Sequence, residues 1–154
     1  MVKSKNKNNL KGFSLFELII TMGILMILSL IVFPIAIQKA QESKLESYAS
    51  QMVTDIYYQQ QRSAIKNSPE GVSFSTNEYT LFDGETLLGA TETDTKKYPI
   101  NIDITSINMT NGSTVSFPAG EFKPASYGTV ILTDGITSVR VYINREGLIG
   151  YEKL

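Results

Sequence analysis

The chain has 154 residues, no Cys, no His and a formal net charge of -1. That length suffices for one domain with a real core. Without thiolate or imidazole there are no disulfides, Ser-His-Asp or Cys-His triads, or usual zinc sites, so any catalysis would fall to carboxylates, Lys, Tyr or a hard metal ion.

The charge is unevenly spread. Residues 1–12, MVKSKNKNNLKG, contain Lys3, Lys5, Lys7 and Lys11 and no acid. The remainder holds the other ten basic residues against all 15 acidic ones, a net of -5. A basic head, an apolar run and an acidic body form the layout of an exported or membrane-anchored protein, with the lysines kept cytoplasmic. The head has no apolar periodicity, ends in Gly12 and reads as a leader peptide.

Leu18–Ile37 is a run of 20 residues without a charge. As a helix it would be about 30 Å long, the thickness of a bilayer's hydrocarbon core. Gly23 and Pro34 inside it are tolerated better in membrane helices than in soluble ones. Pro34 is expected to kink the helix or loosen its bonds near Leu30. Composition then changes abruptly. Leu45, Ala49, Met52, Ile56 and Gln60 recur at helical spacing, and Tyr48 and Val53 widen the stripe. Nothing between Pro34 and Pro69 stops a helix. We therefore expect one nearly continuous helix from Leu15 to Asn67, about 80 Å long. Its apolar half covers residues 13–37 and its amphipathic half 38–68. Asn67-Ser68-Pro69-Glu70-Gly71 is a strong stop.

Residues 71–154 turn to period two. Val72–Ser75 and Tyr79–Phe82 predict a hairpin, Glu85–Leu88 a short strand, and Gly89–Lys97 a polar loop. Asn101–Thr105 alternates, with Ile100, Ile102 and Ile104 expected on one face. Asn111-Gly112 is a hairpin signal before Ser113–Phe117. Thr129–Thr133, Asp134-Gly135 and Ser138–Asn144 read as strand, turn, strand, and Leu148–Glu152 as a last strand. The expected fold is α+β, with six to eight short antiparallel strands packed on the amphipathic half of the helix.

The head admits three readings. A secretory signal peptide would have an apolar region of only about 7–15 residues, and no small-x-small cleavage site follows this one. The lipoprotein variant needs a Cys. An uncleaved single-pass anchor explains the lysines and the apolar length but not Glu17, because an acid at membrane depth is costly and by default functional. The third reading is a resemblance. KGFSLFELI resembles the type III signal of type IV pilins and type II secretion pseudopilins. Gly12, Phe13 and Glu17 stand where that family has the last leader residue, the new N-terminal residue and an acid four residues further on. The apolar run follows the cut, and Pro34 falls where many of these helices carry a proline.

The resemblance implies cleavage by prepilin peptidase between Gly12 and Phe13, and N-methylation of Phe13. It also implies an assembly contact made by Glu17 to the Phe13 amine of the next subunit. SVRVYINREGLIGY and FPAG (Phe117–Gly120) resemble segments of the H-type minor pseudopilins and related tip pilins. The implied role is structural. Such a subunit waits in the cytoplasmic (inner) membrane with its C-terminal domain outside the cytoplasm. It then joins a periplasmic or surface filament through an assembly platform and other pilin subunits. It is not an enzyme and takes no cofactor. ATP is used by a separate motor.

Other chemistry is weaker. Glu92 and Asp94, or Asp83 and Glu85, match no calcium-loop pattern and read as solvated loop acids. DNA binding in a competence system is the alternative from another class, with Arg140 and Arg145 as nucleic-acid contacts. Lys153, Lys96 and Lys97 are the other basic residues available. On an acidic body this is a weak electrostatic footprint, and alternation puts Arg140 on the solvent face of its strand. Tyr48, Tyr57 and Tyr58 are expected to pack between helix and sheet.

Overall fold

The computed structural model describes residues 12–154. The leader assigned to residues 1–12 therefore lies outside the described residues, except for Gly12. The fold is α+β, one long helix followed by antiparallel strands. The chain divides into two compact units, Met1–Lys39 and Ala40–Leu154.

The helix α1 runs Leu15–Lys66, 52 residues with Pro34 inside it, within a residue of the expected span. Ser14 caps its start. The Ser14 carbonyl accepts the first helical bond, from the Leu18 N–H at 3.1 Å, and its Oγ accepts from the Phe16 N–H at 3.3 Å, which satisfies one of the amides that a helix start leaves free. The helix ends where Asn67 takes φ 52, a left-handed conformation that Asn tolerates better than most residues. Pro69 follows two residues later.

Eight strands build the second unit: β1 (Glu70–Phe74), β2 (Glu78–Asp83), β3 (Thr93–Lys97), β4 (Asp103–Met109), β5 (Thr114–Phe117), β6 (Gly128–Thr133), β7 (Ser138–Ile143) and β8 (Ile149–Lys153). They form two four-stranded antiparallel sheets, β3-β2-β1-β5 and β4-β6-β7-β8. The expected stripe is the core side of the helix: Leu45, Ala49, Met52 and Ile56 are all buried. They cluster with Val72, Phe74 and Leu81 of the first sheet and with Val130, Leu132, Val139 and Val141 of the second. Burying such a side chain contributes about 1.5–3 kcal/mol.

The stripe turns polar at its end and becomes a clamp. Gln60 Nε2 donates to the Phe122 and Gly147 carbonyls, each at 2.8 Å. Gln59 Nε2 donates to the Gly71 and Phe82 carbonyls, each at 3.1 Å. Ser63 Oγ donates to the Pro118 carbonyl at 2.5 Å, and the Gly120 N–H returns a bond to the Ser63 carbonyl at 3.1 Å. FPAG thus seats on the last turns of α1. Gly120 has φ +75, and a Cβ there would stand 2.6 Å from Asn67 Oδ1.

Five local expectations need correction. Asn111-Gly112 turns the chain but makes no hairpin, because β4 pairs with β6 while β5 pairs with β1. A turn signal reports the bend and not the partner. Leu87–Gly89 is a 3-10 turn and not a strand. Gly89–Lys97 is not all loop: Thr93–Lys97 is an edge strand. Its residues are polar on both faces, so no alternation marks it. Ile100 does not share the face of Ile102 and Ile104. The Ile102 N–H closes a turn onto the Pro99 carbonyl at 2.9 Å, and Ile100 stands fully exposed. Tyr48 packs against the core, edge-on to Tyr98 at 5.5 Å, but Tyr57 and Tyr58 are exposed.

Candidate functional site

The head of α1 presents the residues that the signal-like segment singled out. A Cβ on Gly12 would meet nothing within 4 Å. Phe13 is 81% exposed. Ser14 closes the cap, which places Glu17 in the first helical turn as its acid. The amides left free in that turn and the aligned peptide dipoles make it favourable for a carboxylate, by about 0.3–1 kcal/mol. Beyond Glu17 the helix is apolar all round. Leu18, Ile19, Leu25, Leu28 and Phe33 are among the large side chains left exposed. An apolar, uncovered helix of this length and composition is suited to crossing a membrane.

The two arginines weighed as nucleic-acid contacts are not brought into one basic patch. Arg140, on β7, donates to Glu152 of β8 at 2.6 Å. Arg145, in the turn after β7, borders an open recess of about 550 Å³ that Lys123, Tyr127 and Glu146 also line. Lys123 is paired with Glu146 at 2.7 Å and holds that carboxyl below the usual range. Arg140 and Lys123 thus each have an acid beside them. The other cations weighed are also paired: Lys96 with Asp94 at 2.7 Å, Lys97 with Glu78 at 3.2 Å, and Lys153 with Glu42.

Among the described residues, no three carboxylates come together as metal ligands. Asp83 is instead a loop organiser. It accepts from the Thr91 and Glu92 amides at 3.0 and 2.5 Å and from the Thr91 hydroxyl at 2.9 Å. These bonds hold its carboxyl below the usual range. Asp94 faces Lys96. Glu85 borders a separate shallow groove with Pro69, Ser116 and Pro118.

Sequence reasoning missed Arg62, which lies on α1 among Glu70, Asp83 and Glu92. It also missed the phenol of Tyr79, which donates to Asp55 Oδ2 at 2.5 Å and whose pKa burial pushes far up. The one signal for Arg62 was its position, two residues past Gln60 on a helix whose core face was already fixed.

Residues 7–33 match the model of the prokaryotic N-terminal methylation motif, a type IV pilin-like signal. The match covers the head and the first part of the apolar helix, and stops before the β unit. No curated protein and no solved structure matches the chain. The matched segment carries Gly12, Phe13 and Glu17 together.

Proposed function

We propose that the chain is a minor pilin-like subunit, a pseudopilin, made as a prepilin and cleaved after Gly12. Phe13 becomes the methylated N-terminus. The apolar half of α1 anchors the subunit in the cytoplasmic membrane, with the β unit outside the cytoplasm. It then enters a type II secretion or type IV pilus-like filament. Its partners are prepilin peptidase, the inner-membrane assembly platform and other pilin subunits. The subunit is not an enzyme and takes no cofactor.

The observation that carries this reading is the methylation-motif match at residues 7–33, with Glu17 in the first turn of an uncovered apolar helix. Cleavage would place a free ammonium four residues before Glu17. In apolar surroundings each charge needs the other, because a lone buried charge is the expensive outcome. Pairing between neighbouring subunits supplies that partner. Kinship with the H-type minor pseudopilins draws support from the C-terminal layout of β7, a turn containing Gly147, and β8. It also draws on the way FPAG seats on the helix end. A DNA-binding role is less well supported, because Arg140 is already paired.

The test is processing and assembly in cells that carry a prepilin peptidase and its filament machinery. Gly12→Val should block cleavage. Efficient processing of that variant would remove the signal assignment.

A further inference from the structure

We propose that Asn111 is a site of spontaneous modification, where the Gly112 nitrogen displaces the side-chain amide and water then leaves aspartate or isoaspartate in its place.

The chemistry needs a side-chain carbonyl, a following backbone nitrogen that can reach it, and no side chain crowding that nitrogen. Asn111 is the one asparagine in the sequence followed by glycine. Glycine leaves the nitrogen uncrowded and lets the backbone rotate to bring it onto Asn111 Cγ. Gly112 has φ +66, and a Cβ there would meet nothing within 4 Å. Both residues are exposed.

Sequence alone does not choose this turn. Asp83-Gly84 and Asp134-Gly135 can close the same ring through a carboxyl. The structure separates the three turns. Asp83 accepts from the Thr91 and Glu92 amides, and the Gly84 N–H donates to the Pro69 carbonyl at 2.8 Å. Asp134 Oδ1 accepts from the Ile136 and Thr137 amides at 2.9 and 2.8 Å, and the Gly135 N–H donates to Thr133 Oγ1 at 3.1 Å. In both, the attacking nitrogen and the attacked group are held by other partners. Among the described residues, no hydrogen bond engages the Asn111 side chain or the Gly112 N–H.

Topology explains the difference. A hairpin would bridge its own turn, but β4 pairs with β6 and β5 with β1, so no ladder spans Asn111-Gly112. The chain is tied on either side of the pair instead. The Thr110 N–H donates to the Tyr127 carbonyl at 2.9 Å, and the Phe74 N–H donates to the Ser113 carbonyl at 2.8 Å. The two residues between these ties line a recess of about 220 Å³ with Glu85 and Thr86. It gives the Asn111 side chain room to turn and admits water.

The step balances with water as its only reagent. The Gly112 nitrogen bonds to Asn111 Cγ. The Cγ–Nδ2 bond breaks, and Nδ2 leaves as ammonia with the proton of the Gly112 N–H. Water then opens the ring. Opening at Cγ gives aspartate. Opening at the Asn111 main-chain carbonyl gives isoaspartate, with one more carbon in the backbone. Either product puts a carboxylate on the recess that Glu85 lines. Isoaspartate also lengthens the chain between the Thr110 and Ser113 ties, where it crosses from one sheet to the other.

The test incubates full-length chain in detergent at mildly alkaline pH, which promotes loss of the Gly112 amide proton, beside a urea-unfolded sample. Peptide mass spectrometry, with an isoaspartyl methyltransferase to count isoaspartate, follows each turn. The Asn111 peptide of the folded chain should gain the mass of an amide-to-acid exchange at a rate close to that of the unfolded chain. Asp83 and Asp134 should isomerise only when the chain is unfolded. Gly112→Ala should slow the conversion severalfold, and Asn111→Gln should stop it within the incubation. A folded chain that keeps its Asn111 amide while the unfolded chain loses it overturns the proposal. Isomerisation of Asp83 or Asp134 in the folded chain as fast as conversion of Asn111 overturns it too.

Discussion

Arg62 Nε lies 3.1 Å from Oε1 of Glu70, a carboxylate with 1% of its side chain exposed. The pair links α1 to the first residue of β1. Arg62 reaches further, with an Nη2–Glu92 Oε2 bond at 3.1 Å and Asp83 Oδ2 at 3.9 Å. Glu70 is less well served. The Arg62 Nε is close enough for an ion pair but misaligned for a hydrogen bond, and neither Glu70 oxygen has a donor. Burial pushes the Glu70 carboxyl up, Arg62 opposes this, and Asp83 adds to it.

The shift predicts a pH dependence. A carboxyl raised in the folded state binds its proton more tightly there than in the unfolded chain. Its contribution to stability is greatest below the ordinary Glu value of 4.5 and is lost as pH rises through the raised folded value. Urea unfolding of the second unit, followed in detergent-solubilised full-length chain, should show this component in the native sequence. Glu70→Gln should lack it. Identical pH profiles for the two proteins would show that Glu70 carries no such shift.

Removing the cation should be worse than neutralising the acid. Arg62→Ala leaves a buried carboxylate without its partner and should cost about 3 kcal/mol at neutral pH. The double variant Arg62→Ala, Glu70→Gln should recover a large part of that loss. No recovery would mean that Arg62 acts through Glu92 and Asp83 rather than through Glu70.

The phenol of Tyr79 makes a similar case on a smaller scale. It is buried and donates to a carboxylate. Tyr79→Phe should cost about 1.5–3 kcal/mol, the usual value for a hydrogen bond to a charged group. A change within error of zero in the same urea titration would show that water replaces the bond at no loss.

How much of this was legible beforehand depends on the signal each element carried. Leu45, Ala49, Met52 and Ile56 repeat at helical spacing, so the core face of α1 could be read directly. The β6–β7 hairpin was legible because Asp134-Gly135 sits between two alternating segments. Strand β3 was not, since TDTKK has no apolar face to alternate. The exchange of sheets between β4 and β5 was invisible too, because strand pairing is a long-range choice that Asn111-Gly112 does not encode. At the head of the chain, Glu17 stood out as an acid at the edge of an apolar run, and Gly12 and Phe13 were identifiable only through the resemblance of KGFSLFELI to the pilin-type signal. Arg62 and Glu70 were not, because the two meet only once β1 has packed beside the last turns of α1.

The assembly role proposed for Glu17 can be separated from processing. Glu17→Ala should be processed normally yet fail to enter filaments, because the ammonium of a neighbouring subunit loses its partner. Glu17→Asp, which keeps the charge, should retain part of the assembly. Full incorporation of the alanine variant, measured by co-purification with sheared filaments, would remove Glu17 from the subunit contact.

DNA binding should be weak and unspecific. Duplex DNA titrated at low and at moderate salt should show no shift that depends on Arg140 or Arg145. A salt-dependent shift lost in Arg140→Ala and Arg145→Ala would reverse this and favour the competence reading.

The most direct measurement is the N-terminus of the mature chain, determined by intact mass and N-terminal sequencing after expression beside a prepilin peptidase. The account predicts a chain that begins at Phe13, carries an added methyl group on its amine and retains the whole apolar run. A chain that keeps residues 1–12, or one cut after the apolar run, would contradict it.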